Sequence, residues 1–260
     1  MVLDYLPRLP VRENDQVRPL TNMLHRVRFT LWSVRLRLAL RRKGARLVLD
    51  APHGAHLKGA PTLHVTAAGD GEGVLHLRIG RGVSFGKGVS LRVWARGTNV
   101  LELGDRTQVH DGVRLWLLSG SVRVGSDSIL RDQALLKSKG ALEIGERARI
   151  GYSTLMHCHQ EIRLEDHVVI ADQTVVIDSD HVHDGTDEWV MAQPVRAAPL
   201  RVGRNTLISA NSLIMRGAEI GENSVVAGGA VVRAGAYPPS SLLGGVPARR
   251  LRSLRDDQGP

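Results

Sequence analysis

A short motif recurs along this chain at intervals close to twenty residues, and it constrains the fold more than any other feature. The motif is an aliphatic residue, usually followed by Gly, with a second apolar residue six positions after the first. Its copies begin at residues 79, 103, 124, 144, 164, 202 and 220, so successive starts are separated by 24, 21, 20, 20, 38 and 18 residues. A period of this length is typical of solenoids, in which each repeat stacks on the one before.

The six-residue step indicates short flat strands whose apolar side chains point inward, with small residues near the corners. Three steps make a triangular coil of about 18 residues, and each coil pairs with the next through parallel backbone hydrogen bonds. Longer intervals predict extra residues at one corner, as at 97–99, 119–121, 138–140 and 158–160. The interval of 38 predicts either two coils or one coil with a protruding loop.

This register resembles the hexapeptide-repeat proteins, which fold as left-handed parallel β-helices and include many acyltransferases that use acyl-CoA. The resemblance covers about residues 70–236 and implies an all-β solenoid. The left hand is carried over from the family, because the general rule for parallel crossovers gives a right hand. The alternatives are another parallel solenoid or a sandwich of short strands. We expect a basic amphipathic helical segment at 1–45, the β-helix at 46–236 with a protruding loop at 182–199, and a short C-terminal tail at 237–260.

Residues 20–43 predict an amphipathic helix before the solenoid. Its apolar residues recur at spacings of three and four, at Leu20, Leu24, Val27, Leu31, Val34 and Leu38. Residues 1–50 hold eleven Lys and Arg against four Asp and Glu, so most of the net charge of +9 lies there. Two interpretations stay open. The helix lies on an anionic membrane, or it packs across the end of the solenoid or against a neighbouring subunit.

The cysteine count, the apolar runs and the N-terminal residues indicate the cellular compartment. Cys158 is the single cysteine, which excludes an internal disulfide framework and fits a reducing compartment. No apolar run is long enough to span a membrane, and the N-terminus lacks the order of residues typical of a secretory signal. We therefore expect a cytoplasmic protein, associated with a membrane at most through residues 20–43, and no nucleic-acid partner.

Residues 177–184 read IDSDHVHD and stand at the base of a segment, 182–199, that lacks the repeat. In the sugar and antibiotic O-acetyltransferases of the resembling family, a histidine at such a loop base is the general base. An imidazole titrates near pH 6.5, so at neutral pH it can take the proton of a hydroxyl that attacks a thioester. The resemblance assigns this role to His181, with His183 as the substitute. Asp178, Asp180, Asp184 or a backbone carbonyl could fix the histidine tautomer.

The acceptor is expected under the loop, where Asp184 could contact it. Trp189 could stack there on a sugar face or an acyl chain, or it could equally pack into a neighbouring subunit. His157 and His159 are expected to line the corner beneath His181. The resemblance implies a sugar, glycolipid or glycan as the acceptor, and an amine acceptor stays open because the same base serves both nucleophiles.

The prediction of a CoA-binding site depends on the stretch 207–221, which is similar to the family's Trp-Ile-Gly-Ala-Asn motif. Leu207 replaces the tryptophan and Ser209 the glycine. The resemblance implies that Ser209 and Ala210, with Ala227 and Gly228 one coil later, let the thioester arm approach. Simple corner geometry would explain the same small residues. The predicted phosphate-binding cations are Arg233, Arg249 and Arg250, the last two in a Gly-x-Pro-Ala-basic tail that the family shares.

Taken together, the residues and the resemblance predict a homotrimeric O-acyltransferase that uses acetyl-CoA or another acyl-CoA and needs no metal. The resemblance also implies that the active groove, with His181, lies between two neighbouring prisms. One alternative is a zinc enzyme like the gamma-class carbonic anhydrases, which share the prism. That reading is disfavoured because the histidine pairs are two residues apart and the position twenty residues after His157 is Ile177. The other alternative is a solenoid that serves as a binding or assembly module without catalysis.

Overall fold

The computed structural model describes residues 19–66 and 72–255, with side chains from Leu24 onward. The helix α1 (Pro19–Arg41) precedes three parallel sheets that form the faces of a solenoid. Sheet A holds nine strands: β1 Ala45–Asp50, β4 Gly73–Ile79, β7 Gly97–Leu103, β10 Ser121–Val124, β13 Ala141–Ile144, β16 Glu161–Leu164, β21 Leu200–Val202, β24 Ala218–Ile220 and β27 Gly235–Tyr237.

The other two faces have shorter strands. Sheet B holds ten: β2 His56–Leu57, β5 Ser84–Phe85, β8 Gln108–Val109, β11 Ile129–Leu130, β14 Arg149–Ile150, β17 Val169–Ile170, β22 Leu207–Ile208, β25 Val225–Val226, β28 Ser241–Gly245 and β29 Ala248–Ser253. Sheet C holds eight: β3 Thr62–Thr66, β6 Ser90–Trp94, β9 Arg114–Leu117, β12 Leu135–Ser138, β15 Leu155–Cys158, β18 Val175–Ile177, β23 Leu213–Met215 and β26 Val231–Val232. The predicted all-β solenoid with an N-terminal helix is confirmed.

The strand register follows the sequence period. Ile129 pairs with Arg149, and Arg149 with Val169, at steps of twenty. Across the long interval, Ile162 pairs directly with Leu200 and Val169 with Leu207. No coil is therefore inserted there, and the extra residues leave the solenoid as a hairpin of β19 (Ser179–His181) and β20 (Val195–Ala197).

The core is a column of inward aliphatic side chains from all three sheets, and most of its members are fully buried. Each repeat glycine of sheet A stands where the next coil comes very close. A Cβ at Gly145 would lie 2.6 Å from the backbone nitrogen of Asp166. The left-handed backbone of that corner falls two residues later, at Arg147 (φ 54°). The glycine is thus required by close approach, and the bend itself is made by a residue with a side chain.

The outer faces of the three sheets differ in chemistry. Sheet A carries a ladder of charges, most of alternating sign, at Asp50, Arg78, Glu102, Arg123, Glu143, Arg163, Arg201 and Glu219. Sheet C carries an apolar column of partly exposed residues, formed by Leu135, Leu155, Val175, Leu213 and Val231. Sheet B carries a second apolar column, formed by Val169, Leu207, Val225 and Leu242. Sheet A is therefore the face best suited to water.

Helix α1 closes the first coil. Phe29, Trp32, Leu36 and Leu40 are buried against it, and the indole nitrogen of Trp32 donates to the carbonyl oxygen of Pro61 at 3.0 Å. The apolar stripe predicted from the sequence is a different one: from Leu24 to Leu38 its side chains are exposed, while the side chain of Leu20 lies outside the described residues. In the described part of the chain, no helix is long and apolar enough to cross a membrane.

Candidate active site at the base of the hairpin

The β19–β20 hairpin grows from the corner between sheets C and A, which we call the histidine corner. Its strands pair antiparallel, with Asp180 opposite Arg196 and His181 opposite Val195. The next backbone bond joins the nitrogen of Val182 to the carbonyl oxygen of Pro194 at 2.9 Å. His181 therefore sits where the chain leaves the rigid solenoid, a place where functional side chains are often held.

Asp178 fastens this corner to the coil below. Its side chain is fully buried, and its carboxylate accepts three backbone N–H bonds, from His159 at 2.6 Å, Gln160 at 2.7 Å and Glu161 at 2.8 Å. Such charge-assisted bonds are stronger than neutral ones. Burial, and after it the charge of Asp178, raises the pKa of the Cys158 thiol to about 12, so this thiol is not a nucleophile at neutral pH.

Asp180 is held by two guanidinium groups. Its Oδ1 lies 2.9 Å from Nε of Arg196, across the hairpin, and 2.9 Å from Nε of Arg216, on the corner of the next coil. Burial acts to raise the pKa of Asp180, but the two cations outweigh it and hold the pKa below its usual range. Asp180 thus ties the hairpin to the coil above as an anion.

Asp184 organises the loop beyond the hairpin. Its Oδ1 accepts the Thr186 hydroxyl at 2.7 Å and the Gln193 amide at 3.0 Å, and these bonds lower the pKa of Asp184. Within the described residues, no aspartate is hydrogen-bonded to the ring of His157, His181 or His183. The three aspartates that the sequence offered as tautomer-fixing partners therefore have other partners in this chain.

Three imidazoles gather at the histidine corner. The rings of His157 and His159 lie 6.3 Å apart, edge to face. Burial first, then the charge of Lys137 and the neighbouring His159, lowers the pKa of His157 to about 4. Burial and Lys139 also lower the pKa of His159, and His181 is close enough to contribute. At neutral pH this is a cluster with two uncharged imidazoles beside two lysines.

Two ring nitrogens in the cluster are buried and have no hydrogen-bond partner among the described residues, Nδ1 of His181 and Nε2 of His157. Buried polar atoms are nearly always paired, so such atoms are expected to meet a ligand, water or another chain. His183 and Asp184 are exposed, beyond the paired strands. Trp189, at the tip of the loop, is 73% exposed.

The predicted CoA-binding residues lie elsewhere. Ser209–Ala210 and Ala227–Gly228 occupy the corner between sheets B and C, which we call the glycine corner. They stack on one another, since a Cβ at Gly228 would lie 3.4 Å from the carbonyl oxygen of Ala210. The histidine and glycine corners are the two edges of sheet C. Within one chain, the predicted base and the predicted thioester groove are therefore separated by the width of sheet C.

The predicted cations divide between these edges. Arg233 directly follows β26, so it lies at the histidine corner, two coils above the hairpin. Arg249 and Arg250 lie on β29, which adds an antiparallel edge to sheet B through β28. All three side chains are exposed.

Sequence reasoning missed Lys137 and Lys139 as neighbours of the imidazoles. The twenty-residue period contains that information, because it places Lys137 opposite His157, as the structure shows. It also missed Arg196, which faces Asp180 across the hairpin, and Arg216, which reaches Asp180 from the next coil. The Arg196 contact depends on the antiparallel pairing, which the repeat does not encode.

His157 pairs with Ile177, as the sequence spacing predicted, so it is not stacked on His181. In the described residues, no group of three or more His, Cys, Asp or Glu side chains is placed to hold a metal ion.

Comparison with known proteins supports the repeat. The family model "Bacterial transferase hexapeptide (six repeats)" matches residues 199–234. The predicted hexapeptide-repeat resemblance is confirmed. The chain is 29% identical, over 132 residues, to the "Probable acetyltransferase Rv3034c" of Mycobacterium tuberculosis, covering 51% of this chain and 42% of that protein. It is 47% identical over 58 residues to the "Carnitine operon protein CaiE" of Escherichia coli K12, covering 22% of this chain and 30% of that protein.

The chain thus spans less than half the length of these curated relatives. Among solved structures, it is similar to an AntD N-acyltransferase variant from Bacillus cereus in complex with dTDP and coenzyme A. The TM-score is 0.43 and the identity 18%, over 68% of this chain and 83% of that one. It is also similar to the acetyltransferase VCA0836 from Vibrio cholerae O1 biovar eltor, complexed with acetyl-CoA, with a TM-score of 0.32 and 18% identity over 93% and 92% of the chains.

Proposed function

We propose that this protein transfers an acyl group, in the simplest case acetyl, from acyl-CoA to a hydroxyl group of a sugar or glycoconjugate. The observation that carries the proposal is the place of His181 in a hexapeptide-repeat solenoid. Its imidazole stands at the base of an excursion from the coil, and one of its ring nitrogens is buried with no hydrogen-bond partner in the described part of the chain. The match to a probable acetyltransferase supports the reaction class.

In the proposed reaction, a ring nitrogen of His181 takes the proton as the acceptor hydroxyl attacks the thioester carbonyl. The new C–O bond forms a tetrahedral intermediate, which collapses as the C–S bond breaks. The imidazolium then returns its proton to the leaving thiolate of CoA. General base catalysis of this kind contributes about 10²–10⁴-fold to the rate.

His157 serves the acceptor in this proposal. With a pKa of about 4, its ring stays uncharged through the neutral range, so it can hydrogen-bond a hydroxyl without competing for the reacting proton. Trp189, in the loop that the hairpin carries, offers an exposed aromatic face, and such faces suit sugars and acyl chains.

The proposed enzyme is a homotrimer with its sites between chains. The glycine corner and the histidine corner are separated by the width of sheet C, so a site that uses both takes one from each of two neighbouring solenoids. The apolar columns of sheets B and C favour this packing, because contiguous exposed aliphatic surface is typical of an interface. Helix α1 packs on the first coil, several coils away from His181, and takes no part in this reaction.

The test is the His181→Ala variant, assayed by thiol release from acetyl-CoA with a panel of sugar acceptors. We expect turnover to fall by about 10²–10⁴-fold while CoA binding, measured by calorimetry, is retained. His64→Ala, an exposed histidine of the first coil, is the matched control and should keep full activity.

If the His181→Ala variant kept full turnover, His181 would not be the general base. If the His183→Ala variant lost activity instead, His183 would be the general base. A wild-type chain that binds no acyl-CoA would favour the assembly-module alternative.

A further inference from the structure

The outer side of helix α1 is an aliphatic stripe that no residue in the described part of the chain covers. Each of its five side chains is about half exposed: Leu24 55%, Val27 49%, Leu31 57%, Val34 48% and Leu38 49%. We call this set the outer stripe. Monomeric proteins rarely leave a continuous apolar row of this kind facing water, so it marks an interaction surface.

The outer stripe is not needed to attach the helix. Attachment is provided by Phe29, Trp32, Leu36 and Leu40, which are at most 5% exposed and pack on the first coil. At about 3.6 residues per turn, these four residues are centred on the side of α1 opposite to the outer stripe. The helix therefore has two apolar sides, and the solenoid uses one.

The flanks of the outer stripe are uniformly cationic. Helix α1 has no acidic residue. By helical geometry, three arginines lie along each side of the outer stripe: Arg28, Arg35 and Arg42 on one, Arg26, Arg37 and Arg41 on the other. Within the described residues, no ion pair engages any of the six.

A recess of about 230 Å³ adjoins the outer stripe, between α1 and the chain after β2. Its charged lining consists of Arg28, Arg35 and Lys58, and no acidic residue contributes. Trp32 and Leu57 form apolar walls, and Leu31 belongs to both the recess and the outer stripe. Three cations around a space of this size suit a phosphate group.

We propose that α1 docks this protein onto an anionic phospholipid surface, with the outer stripe in the acyl-chain boundary and a headgroup phosphate in the Arg28–Arg35–Lys58 recess. Aliphatic residues flanked by cations on both sides are the arrangement of helices that lie in the membrane interface. Clustered Arg and Lys add electrostatic attraction to anionic lipids.

The same charges disfavour a second copy of this chain as the occupant. Two outer stripes packed together would place arginines against arginines, which is destabilising. An acidic helix would match the arginines, but it leaves the phosphate-sized recess without a role. The recess beside the aliphatic row therefore favours a lipid.

The test is co-sedimentation of the full chain with vesicles. One set contains phosphatidylcholine alone and the other adds phosphatidylglycerol at about 30%, both in low salt. We expect binding to the anionic vesicles only, and weaker binding as salt is raised. Leu31→Glu, on the outer stripe, should lower the partition coefficient by about tenfold or more.

The recess is tested by replacing Arg28, Arg35 and Lys58 together with Ala, which should also lower partition by about tenfold or more. The matched control removes three exposed cations far from α1, Arg81, Arg147 and Arg204, and should bind nearly as the wild type does. Thermal unfolding checks that each variant folds.

Wild-type protein that ignores anionic vesicles at low salt would overturn the proposal. If the control variant with three replaced cations lost as much vesicle binding, net charge would explain the effect, and the recess would not be a phosphate site. Binding of an acidic helical peptide, without vesicle binding, would assign the outer stripe to a protein partner instead.

Discussion

At the scale of single residues, burial governs the chemistry of the histidine corner. The carboxylate of Asp178 accepts hydrogen bonds from three backbone amides, and the carboxylate of Asp180 forms ion pairs with two arginines. Among the described residues, the imidazoles of this corner therefore have no carboxylate partner of their own, and burial lowers the pKa of His157 so that its ring is neutral. An uncharged, unpartnered imidazole is a suitable hydrogen-bonding group for a neutral hydroxyl substrate.

The low pKa of His157 predicts a specific pH dependence of stability. Its folded pKa is about 4, against an ordinary value of 6.5, so the unfolded chain takes up the proton first as the pH falls. The contribution of His157 to stability should therefore decrease between pH 6.5 and 4 and level off below that window. We expect His157→Gln to remove about 1–2 kcal/mol of this decrease, after allowance for partial exposure.

Denaturant unfolding at several pH values measures the decrease, with His64→Gln as the exposed control. A wild-type chain and a His157→Gln variant with parallel pH profiles would contradict a buried neutral ring at this position.

At the scale of elements, helix α1 shows what a sequence pattern can and cannot decide. Spacings of three and four correctly indicated a helix and an apolar stripe. The stripe they picked out is the exposed one, because the buried residues Phe29, Trp32, Leu36 and Leu40 follow an equally good helical spacing. Periodicity identifies apolar faces, but the partner surface decides which face is buried.

The two stripes predict opposite outcomes for the same substitution. Leu36 is fully buried, so Leu36→Ala should cost about 2–5 kcal/mol in the free energy of unfolding. Leu31 is 57% exposed, and Leu31→Ala should stay within about 0.5 kcal/mol of the wild type. Urea denaturation compares them, and an equal cost at both positions would refute the orientation of α1.

The hairpin marks a second limit of sequence reasoning. The interval of 38 residues allowed two coils or one coil with a loop. The missing glycine-aliphatic motif in 182–199 predicted the loop, but not the antiparallel pairing at its base. The direct pairing of Ile162 with Leu200 decides for the excursion. Elsewhere the register was readable, because one face of every strand is buried and a shift by one residue would expose the core.

At the scale of the whole molecule, the three faces of the solenoid carry different outward side chains and suit different surroundings. The charge ladder of sheet A suits solvent, with ion pairs such as Arg78–Asp50 at 3.0 Å and Arg123–Glu102 at 3.4 Å. The outward columns of sheets B and C are aliphatic in the C-terminal half. The sequence predicted the coils, and the distribution of side chains over the faces follows once the register is known.

A charge in the apolar column of sheet C should therefore break the oligomer. We expect Leu213→Glu to convert the proposed trimer to monomers, because an unpaired carboxylate in an apolar interface is costly. Arg163→Glu on sheet A is the matched control and should leave the mass unchanged. Sedimentation velocity reads the result, and a trimeric Leu213→Glu protein would exclude this column from the interface.

The relation of the two corners is where the sequence was least informative. Small residues at 209–210 and 227–228 and histidines at 181 and 183 are visible in the chain, but their separation by the width of sheet C is not. It follows only from counting corners in the folded coil. This separation leads to the claim that each site is built by two chains.

Mixing two inactive variants tests that claim most directly. His181→Ala removes the proposed base, and Gly228→Leu fills the glycine corner at an exposed position whose backbone tolerates a side chain. Equal amounts of the two are unfolded together, refolded and assayed for thiol release from acetyl-CoA. Random trimers with sites between chains should regain about a quarter of wild-type activity. A mixture of well-folded trimers as inactive as either parent would contradict a shared site.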